Sequence, residues 1–191
     1  RPRRCTQQRA PFLFEPFQVE RLLTCAAQLR DAPHGHQRGI TYRLIFALMY
    51  ALGLRVGEIV RLCVKDIDLG RQYLLIRQTK FAKDRIVPFG PHVAEALQRY
   101  LQERERCNGS LHPDAPVFSV AKGGLQALGS QSISRTFQRL LPHLDLSLPA
   151  GVAPARLHCL RHSFAVATLL RWYRSGIDPN TRLIYLSTFL G

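Results

Sequence analysis

One continuous apolar segment constrains the fold of this chain more than any other feature. From Ile40 to Leu52 the sequence ITYRLIFALMYAL is apolar on nearly every side of a helix. A helix at the protein surface keeps a polar face, whereas one that is apolar all round has to be covered by other elements. The segment therefore predicts a central helix with the rest of the domain packed around it.

Repeating apolar residues predict further helices around this central one. Their spacing of three to four residues is that of one helix face. Ser130 is the expected N-terminal cap of one helix, and Asp178 followed by Pro179 is the expected start of the last one. The prolines between Leu144 and Pro154 predict a loop. The helices are expected at residues 17–29, 56–62, 91–106, 130–141, 157–173 and from 178 onwards.

Two short runs favour β structure. Tyr73–Arg77 and Arg85–Pro88 are rich in residues that strands prefer, and they flank a polar, basic segment from Gln78 to Asp84. Pro88 has no amide hydrogen to donate, so it should mark an edge or the end of a strand. Together the patterns predict a mainly α fold with a small antiparallel β-hairpin or sheet, which is the α+β class.

The length of the chain fits one full domain. With 191 residues the chain can bury a sizeable core, but it is short for two domains. The basic, polar start has no apolar period, so we expect a linker or arm at residues 1–14 and a folded domain at residues 15–191. A disordered end is the alternative to an arm that lies along a phosphate backbone.

The charge of the chain favours a polyanionic partner. Twenty-seven lysines and arginines outweigh thirteen acidic residues and give a net charge of +14, which points first to nucleic acid. A basic protein that its charge keeps soluble, or one that binds anionic membranes, would share this composition. No apolar stretch reaches the ~20 residues of a membrane span, and no signal peptide is visible. We therefore expect a cytoplasmic, nucleoid-associated protein.

The cysteines predict neither a disulfide framework nor a zinc site. There are five of them, an odd number, and no two form a C-x-x-C pair. We expect reduced and mostly buried thiols, and no metal. The five are Cys5, Cys25, Cys63, Cys107 and Cys159.

Arg55 stands at a break between two expected helices, in the sequence Gly53-Leu-Arg-Val-Gly-Glu58. Glu58 follows three residues later and can reach the arginine on the same helix face. A guanidinium group suits two oxygens of a phosphate, and the glutamate could fix its orientation without neutralising the site. A structural Arg–Glu pair is the alternative interpretation.

Lys80 and Lys83 lie in the expected tip of the hairpin, where a long side chain can extend into a bound groove. A lysine whose pKa is lowered by neighbouring cations could protonate a leaving oxygen. A basic tip that is merely solvated is the alternative.

His158 and Arg161 are three residues apart at the expected start of a helix, in the sequence His158-Cys-Leu-Arg-His162. This spacing puts both on one face, near backbone N–H groups that favour an anion. One helical turn would then supply a proton-transfer group and a phosphate-binding arginine. A core histidine beside a surface arginine is the alternative.

Taken together, these segments resemble the tyrosine recombinase (phage integrase) family. The resemblance runs through Ala51–Leu62, Thr79–Pro88 and Leu157–Ala165, in the order of the family, and covers about Phe14 to Gly191. It implies the catalytic-domain fold of that family. It also implies a site-specific recombinase that cuts and rejoins double-stranded DNA through a 3′-phosphotyrosyl intermediate, as a homo-oligomer on DNA and without a cofactor.

The resemblance implies roles for individual residues. The two arginines would clamp the scissile phosphate, the lysine would protonate the departing 5′-oxygen, and the histidine would assist proton transfer. Glu58 resembles the acidic residue that supports the first arginine, and Lys83 is the alternative lysine. The four residues with implied catalytic roles are Arg55, Lys80, His158 and Arg161.

The resemblance breaks near the end of the chain. Family members continue past a Leu-Gly-His sequence to a tyrosine, whereas this sequence ends at Leu190-Gly191. Tyr185 lies upstream in an apolar helical pattern, so we expect it to be packed, and Tyr173 is no better a candidate. We therefore expect a catalytic domain that lacks its nucleophile and is inactive by itself.

Other functions compete with this interpretation. A non-catalytic DNA-binding relic, or a regulatory module of the same fold, is the main alternative. A type IB topoisomerase uses similar chemistry, but the compact spacing of the motifs favours a recombinase. A ribosomal or RNA-binding protein would explain the charge and not the motifs.

Overall fold

The computed structural model describes residues 9–32, 36–77 and 84–191, which are mainly helical with a small sheet. This confirms the α+β class. The helices are α1 (Pro16–Ala27), α2 (Arg38–Ala51), α3 (Val56–Arg61), α4 (Pro91–Asn108), α5 (Ser130–Leu140), α6 (Cys159–Arg174) and α7 (Leu183–Leu190). The strands are β1 (Ile67–Asp68), β2 (Tyr73–Ile76) and β3 (Arg85–Pro88). Short 3₁₀ turns lie at Val64–Asp66, Leu141–Leu144 and Pro179–Arg182.

Helix α2 lies at the centre, as its all-round apolar sequence predicts. It packs against α1, α4 and α6, and Ile45 and Phe46 have no exposed surface. The crossing with α1 is close, because a Cβ atom on Gly39 would lie 2.3 Å from the carbonyl oxygen of Ala27. A glycine at this position therefore lets the two backbones approach.

The folded part of the chain begins before the boundary expected at residue 15. Phe12 and Phe14 are 4% and 5% exposed, and their rings meet edge to face with centroids 5.0 Å apart. The backbone N–H of Phe14 donates to the hydroxyl of Ser163 in α6 at 2.8 Å. Aromatic burial thus anchors residues 10–14, and the segment is too short to show an apolar period in the sequence. Residues 1–8 of the expected arm lie outside the described ranges.

The sheet is antiparallel, with its strands in the order β1-β2-β3. Leu74 pairs with Val87, and both are fully buried, so they attach the sheet to the core. Pro88 ends the edge strand β3, as predicted. Strand β1 was not predicted, because two residues are too short to show an alternating pattern.

The starts of two helices test the capping predictions. Asp178 does cap, since its side chain accepts a hydrogen bond from the backbone N–H of Asn180 at 3.0 Å. The turn that it begins is a 3₁₀ turn, however, and α7 starts later. The serine cap is wrong: Gly129 occupies the cap position in an extended conformation, so Ser130 is already helical and cannot cap.

Two expectations about side-chain burial are wrong. Tyr185, which we expected to be packed, is 69% exposed, because α7 buries Leu186 and turns the tyrosine outwards. Of the four described cysteines, only Cys159 is buried; Cys107 is exposed, and the other two are half-buried. An apolar pattern indicates helical spacing but does not say which side of the helix is covered.

Two negative findings concern the described ranges of the chain. Within them, no helix combines the length and apolar character needed to cross a membrane. The same residues contain no cluster of three or more histidine, cysteine or acidic side chains that could hold a metal ion.

Candidate phosphate-binding site

Gly53 determines where Arg55 lies. Between α2 and α3 the chain turns at Gly53, whose φ of +62° is unfavourable for residues with a side chain. A Cβ atom there would also lie 2.7 Å from the side chains of Phe164 and Leu190. Glycine is therefore required for both reasons, and the tight turn leaves Arg55 as the residue that precedes α3.

Glu58 holds Arg55 at the start of α3. Its Oε2 accepts a hydrogen bond from the backbone N–H of Arg55 at 2.9 Å, and its Oε1 accepts one from Nη1 of the same arginine at 3.0 Å. The carboxylate is 2% exposed, whereas the arginine side chain is 31% exposed. The contact expected between the two residues is present, and it orients the guanidinium group without enclosing it.

Arg85 is the member of this site that sequence analysis missed. It opens β3, and its Nη1 and Nη2 donate to Oε1 and Oε2 of Glu58 at 2.8 and 2.9 Å. Its side chain is 9% exposed, so the pair is buried on both sides. The sequence does contain a signal, since side chains alternate across a strand. Arg85 shares the face of the buried Val87, and Ile86 between them is exposed.

The charge of Glu58 is maintained by its two arginine partners. Burial by itself raises the pKa of this carboxyl group, because the charged form loses water. The hydrogen bonds and charge of Arg85, together with the bonds from Arg55, outweigh burial and hold the pKa below its ordinary value. Glu58 is therefore ionised at neutral pH, and its ion pairs with both arginines are present there.

Arg161 reaches the same place from α6. Its Nη1 donates to the Gly53 carbonyl at 2.6 Å, and its Nη2 donates to the Leu190 carbonyl at 3.0 Å. The residue is buried. Burial and the neighbouring charge of Arg55 lower the pKa of Arg161 to about 10, which leaves the guanidinium group protonated at neutral pH.

Arg55 and Arg161, the two arginines that sequence analysis singled out, both donate hydrogen bonds to the end of α7. The Leu190 carbonyl accepts a hydrogen bond from Arg55 Nη1 at 3.3 Å as well as the one from Arg161. The Gly191 carbonyl accepts another from Arg55 Nη2. Carbonyl oxygens at a helix C-terminus attract cations. Arg55 and Arg161 therefore converge on a single oxygen atom.

His158 lies directly before α6, close to both arginines. Its ring is edge to face with that of His162, with centroids 4.7 Å apart and an angle of 89° between the planes. Partial burial lowers the pKa of His158, and the charges of His162, Arg161 and Arg55 lower it further. The imidazole is therefore neutral at neutral pH and can accept or donate a proton.

Lys80 and Lys83 lie outside the described residues, so their positions stay predictions. The strands on either side of that segment are antiparallel neighbours, with Ile76 opposite Arg85. Because Arg85 contacts Glu58, the described base of the hairpin lies beside the arginine cluster, which consists of Arg55, Arg85 and Arg161.

The cluster combines excess positive charge with donors of fixed direction. Among the described contacts, Glu58 is the one acidic side chain that accepts hydrogen bonds from the arginines of the cluster, which are Arg55, Arg85 and Arg161. Guanidinium groups bind two oxygens of a phosphate in one plane. In phosphoryl transfer, such donors stabilise the charge that develops on the non-bridging oxygens. The arrangement therefore presents donors of the kind that suit a phosphate diester.

Comparisons with known proteins place the chain in a family. The family model described as "Phage integrase family" matches residues 13–181. The tyrosine recombinase XerC of Chlamydia caviae is 36% identical over 143 residues, which are 75% of this chain and 42% of XerC. The protein y4rB of Sinorhizobium fredii, which has an integrase/recombinase name, is 34% identical over 182 residues, or 95% of this chain and 57% of y4rB.

A solved structure agrees on the fold. The recombinase XerH bound to a palindromic difH substrate aligns over 97% of this chain and 47% of its own chain, with a TM-score of 0.69 and 21% identity. This chain spans about half the length of the relatives that it matches. The family model nevertheless covers most of the 191 residues. The chain therefore belongs to the phage integrase family and has the fold of a tyrosine recombinase catalytic domain.

Proposed function

We propose that this chain is the catalytic domain of a site-specific DNA recombinase, in which Arg55 and Arg161 clamp the scissile phosphate. The observation that carries the proposal is the convergence of both guanidinium groups on one oxygen, the Leu190 carbonyl. A non-bridging phosphate oxygen needs the same donors and carries more negative charge, so it can take that place. Glu58 supports the first arginine from the buried side.

Double-stranded DNA is the proposed partner. The net charge of +14 attracts a polyanion, and XerH, whose fold this chain shares, was solved with its difH substrate. The basic residues at the start of the chain would lie along the DNA backbone. Assembly of several copies on DNA is part of the same proposal and rests on the family resemblance.

In the proposed reaction, a tyrosine hydroxyl attacks the phosphorus and the bond to the 5′-oxygen breaks. A 3′-phosphotyrosyl link forms, and the freed 5′-hydroxyl then attacks the link on a partner strand, which breaks the bond to the tyrosine oxygen, restores a phosphodiester and releases the tyrosine. Lys80 protonates the departing 5′-oxygen, with Lys83 as the alternative, and His158 assists the transfer of protons. The arginines stabilise the charge of the pentacoordinate phosphorus. No metal or nucleotide cofactor takes part.

We assign the nucleophile to a tyrosine outside these 191 residues. Tyr185 and Tyr173 stand nearest the end of the chain, and both are exposed on helix surfaces. Among the described contacts, none joins either hydroxyl to Arg55 or Arg161. A longer form of the polypeptide, or a neighbouring protomer of such a form, would supply the tyrosine.

A nicked suicide substrate tests the assignment of the nucleophile. The 191-residue chain should bind this DNA without forming a covalent adduct, since we assign the nucleophile to a tyrosine outside these residues. A phosphotyrosyl adduct trapped with this chain alone would refute the assignment.

Alanine variants of the complete gene product test the clamp. Arg55→Ala or Arg161→Ala should abolish cleavage and leave most DNA binding intact, and cleavage at the wild-type rate would refute the clamp. Arg99→Ala is the matched control, because Arg99 pairs with Glu95 on the exposed surface of α4. If the wild-type gene product binds DNA without cleaving it, the non-catalytic DNA-binding module of the same fold is supported instead.

A further inference from the structure

We propose that Arg85 is a positioning residue that keeps Arg55 available to phosphate by occupying the carboxylate that would otherwise capture it. The inference rests on the proposed function, because it assumes that Arg55 binds phosphate. It assigns a role to a residue that the sequence motifs do not single out.

The Glu58 carboxylate is saturated with hydrogen bonds. Oε1 accepts bonds from Arg55 Nη1 and Arg85 Nη1, and Oε2 accepts bonds from the Arg55 backbone and Arg85 Nη2. A carboxylate has about four lone-pair positions for hydrogen bonds. The arrangement therefore uses all of them, and two are taken by Arg85.

Arg85 limits the number of bonds that Arg55 can make to Glu58. With both oxygens of Glu58 engaged by Arg85, the side chain of Arg55 makes only one bond to the carboxylate, through Nη1. Its Nη2 points instead to the end of α7, where it meets the Gly191 carbonyl. The outward part of the guanidinium group is thus left for other acceptors, which is what a phosphate clamp needs.

The loss of Arg85 would change the partners of Glu58. Two acceptor positions on Glu58 would be vacated in a place where the carboxylate is 2% exposed, so water cannot readily fill them. Arg55 is the adjacent donor, and carboxylates prefer to bind guanidinium groups through two parallel bonds. Arg55 would therefore turn towards Glu58, and its charge would be neutralised by a bidentate pair.

Arg85 also connects three elements of the site. Its Nε donates to the Phe189 carbonyl in the last turn of α7 at 2.9 Å. The same side chain thus connects β3, the start of α3 and the end of α7. Loss of Arg85 would loosen α7 from the cluster as well as release Glu58.

Three variants and one control test the inference. Arg85→Met keeps the length of the side chain without its charge or donors, and Glu58→Gln/Arg85→Met also removes the charge that captures Arg55. Arg85→Lys keeps the charge but loses the bidentate geometry. Arg99→Met, in the exposed pair with Glu95, is the matched control for loss of an arginine.

Structures of the variants in the 191-residue chain provide the first measurement. In Arg85→Met we expect Glu58 to bind the guanidinium group of Arg55 through two bonds, and in the double variant we expect Arg55 to return towards the end of α7. An Arg55 that keeps its wild-type single bond in Arg85→Met would overturn the inference. This result does not depend on whether the protein cleaves DNA.

Single-turnover cleavage by the complete gene product, per folded molecule and at saturating protein, provides the second measurement. We expect Arg85→Met to be about 100-fold slower, the scale of losing one transition-state donor, with DNA affinity nearly unchanged. The double variant should recover about 10-fold of this loss, and the control should cleave normally. A purely structural pair would change the melting temperature of Arg85→Met but not its rate per folded molecule, and that outcome would overturn the inference.

The two proposals fail in different ways. If the wild-type gene product does not cleave DNA, the proposed function fails, while the structure of Arg85→Met still decides the role of Arg85. If Arg85→Met does not fold, Arg85→Lys replaces it. Cleavage by Arg85→Lys at the wild-type rate would then overturn the inference, and a loss of about 10-fold would support it.

Discussion

Replacing Glu58 by alanine leaves two guanidinium groups without the carboxylate that they share. The loss is larger for Arg85 than for Arg55, because the Arg85 side chain is 9% exposed and cannot readily replace its bonds to the carboxylate by bonds to water. Removing one partner of a buried ion pair costs about 3–5 kcal/mol. In a chain of 191 residues, each 1 kcal/mol lowers the melting temperature by about 2–4 °C. Glu58→Ala should therefore melt roughly 10 °C below the wild type.

Thermal unfolding followed by far-UV circular dichroism measures this difference. Glu95→Ala is the control, because it removes an acid whose partner Arg99 is 73% exposed, and such surface pairs contribute only about 0–1 kcal/mol. A Glu58→Ala variant that melts within the range of this control would refute the argument that the Glu58–Arg85 pair is buried and strong.

Two further predictions concern acid stability and helix packing. The pKa of Glu58 in the folded chain lies below its ordinary value of 4.5, so its ionised form stabilises the fold above pH 4.5 and this contribution is lost as the pH falls through the folded pKa. In denaturant unfolding across this acidic range, the difference in free energy of unfolding between wild type and Glu58→Gln should therefore shrink as the pH falls, and a constant difference would contradict the assignment. Gly39→Ala should destabilise the chain by about 1–3 kcal/mol, because the new Cβ atom would lie 2.3 Å from the Ala27 carbonyl. Gly90→Ala, where a Cβ atom meets nothing within 4 Å, is its control in the same urea titration, and equal stabilities of the two variants would show that α1 and α2 can separate without cost.

The elements of the fold that could be predicted are those with a strong local pattern. The segment 40–52 could only be a buried helix, and α2 spans Arg38–Ala51. The runs around Tyr73 and Arg85 do form paired strands. Strand β1 was missed because its two residues carry no pattern, and the exposure of Tyr185 was missed because helical spacing does not identify the covered side.

The contacts of the candidate site also fall into two groups, those that a local sequence pattern predicts and those that it does not. The contact between Arg55 and Glu58 spans three residues within one helical turn, so their spacing alone predicts it. The contact between Arg85 and Glu58 spans 27 residues, and the one between Arg55 and the Leu190 carbonyl spans 135. No local pattern contains such pairs, although the position of Arg85 on the buried face of β3 indicated that it needed a partner.

The sequence by itself predicted Arg55 and Arg161 as candidate phosphate-binding residues and determined the helices beside them, because side-chain chemistry and apolar spacing are local properties. Only the tertiary structure decided that Arg55 and Arg161 converge on one oxygen and that Arg85 shares the carboxylate of Glu58. The physical reason is that a buried charge has to find its partner wherever the packing of α3, α6, α7 and the sheet brings one within hydrogen-bonding distance.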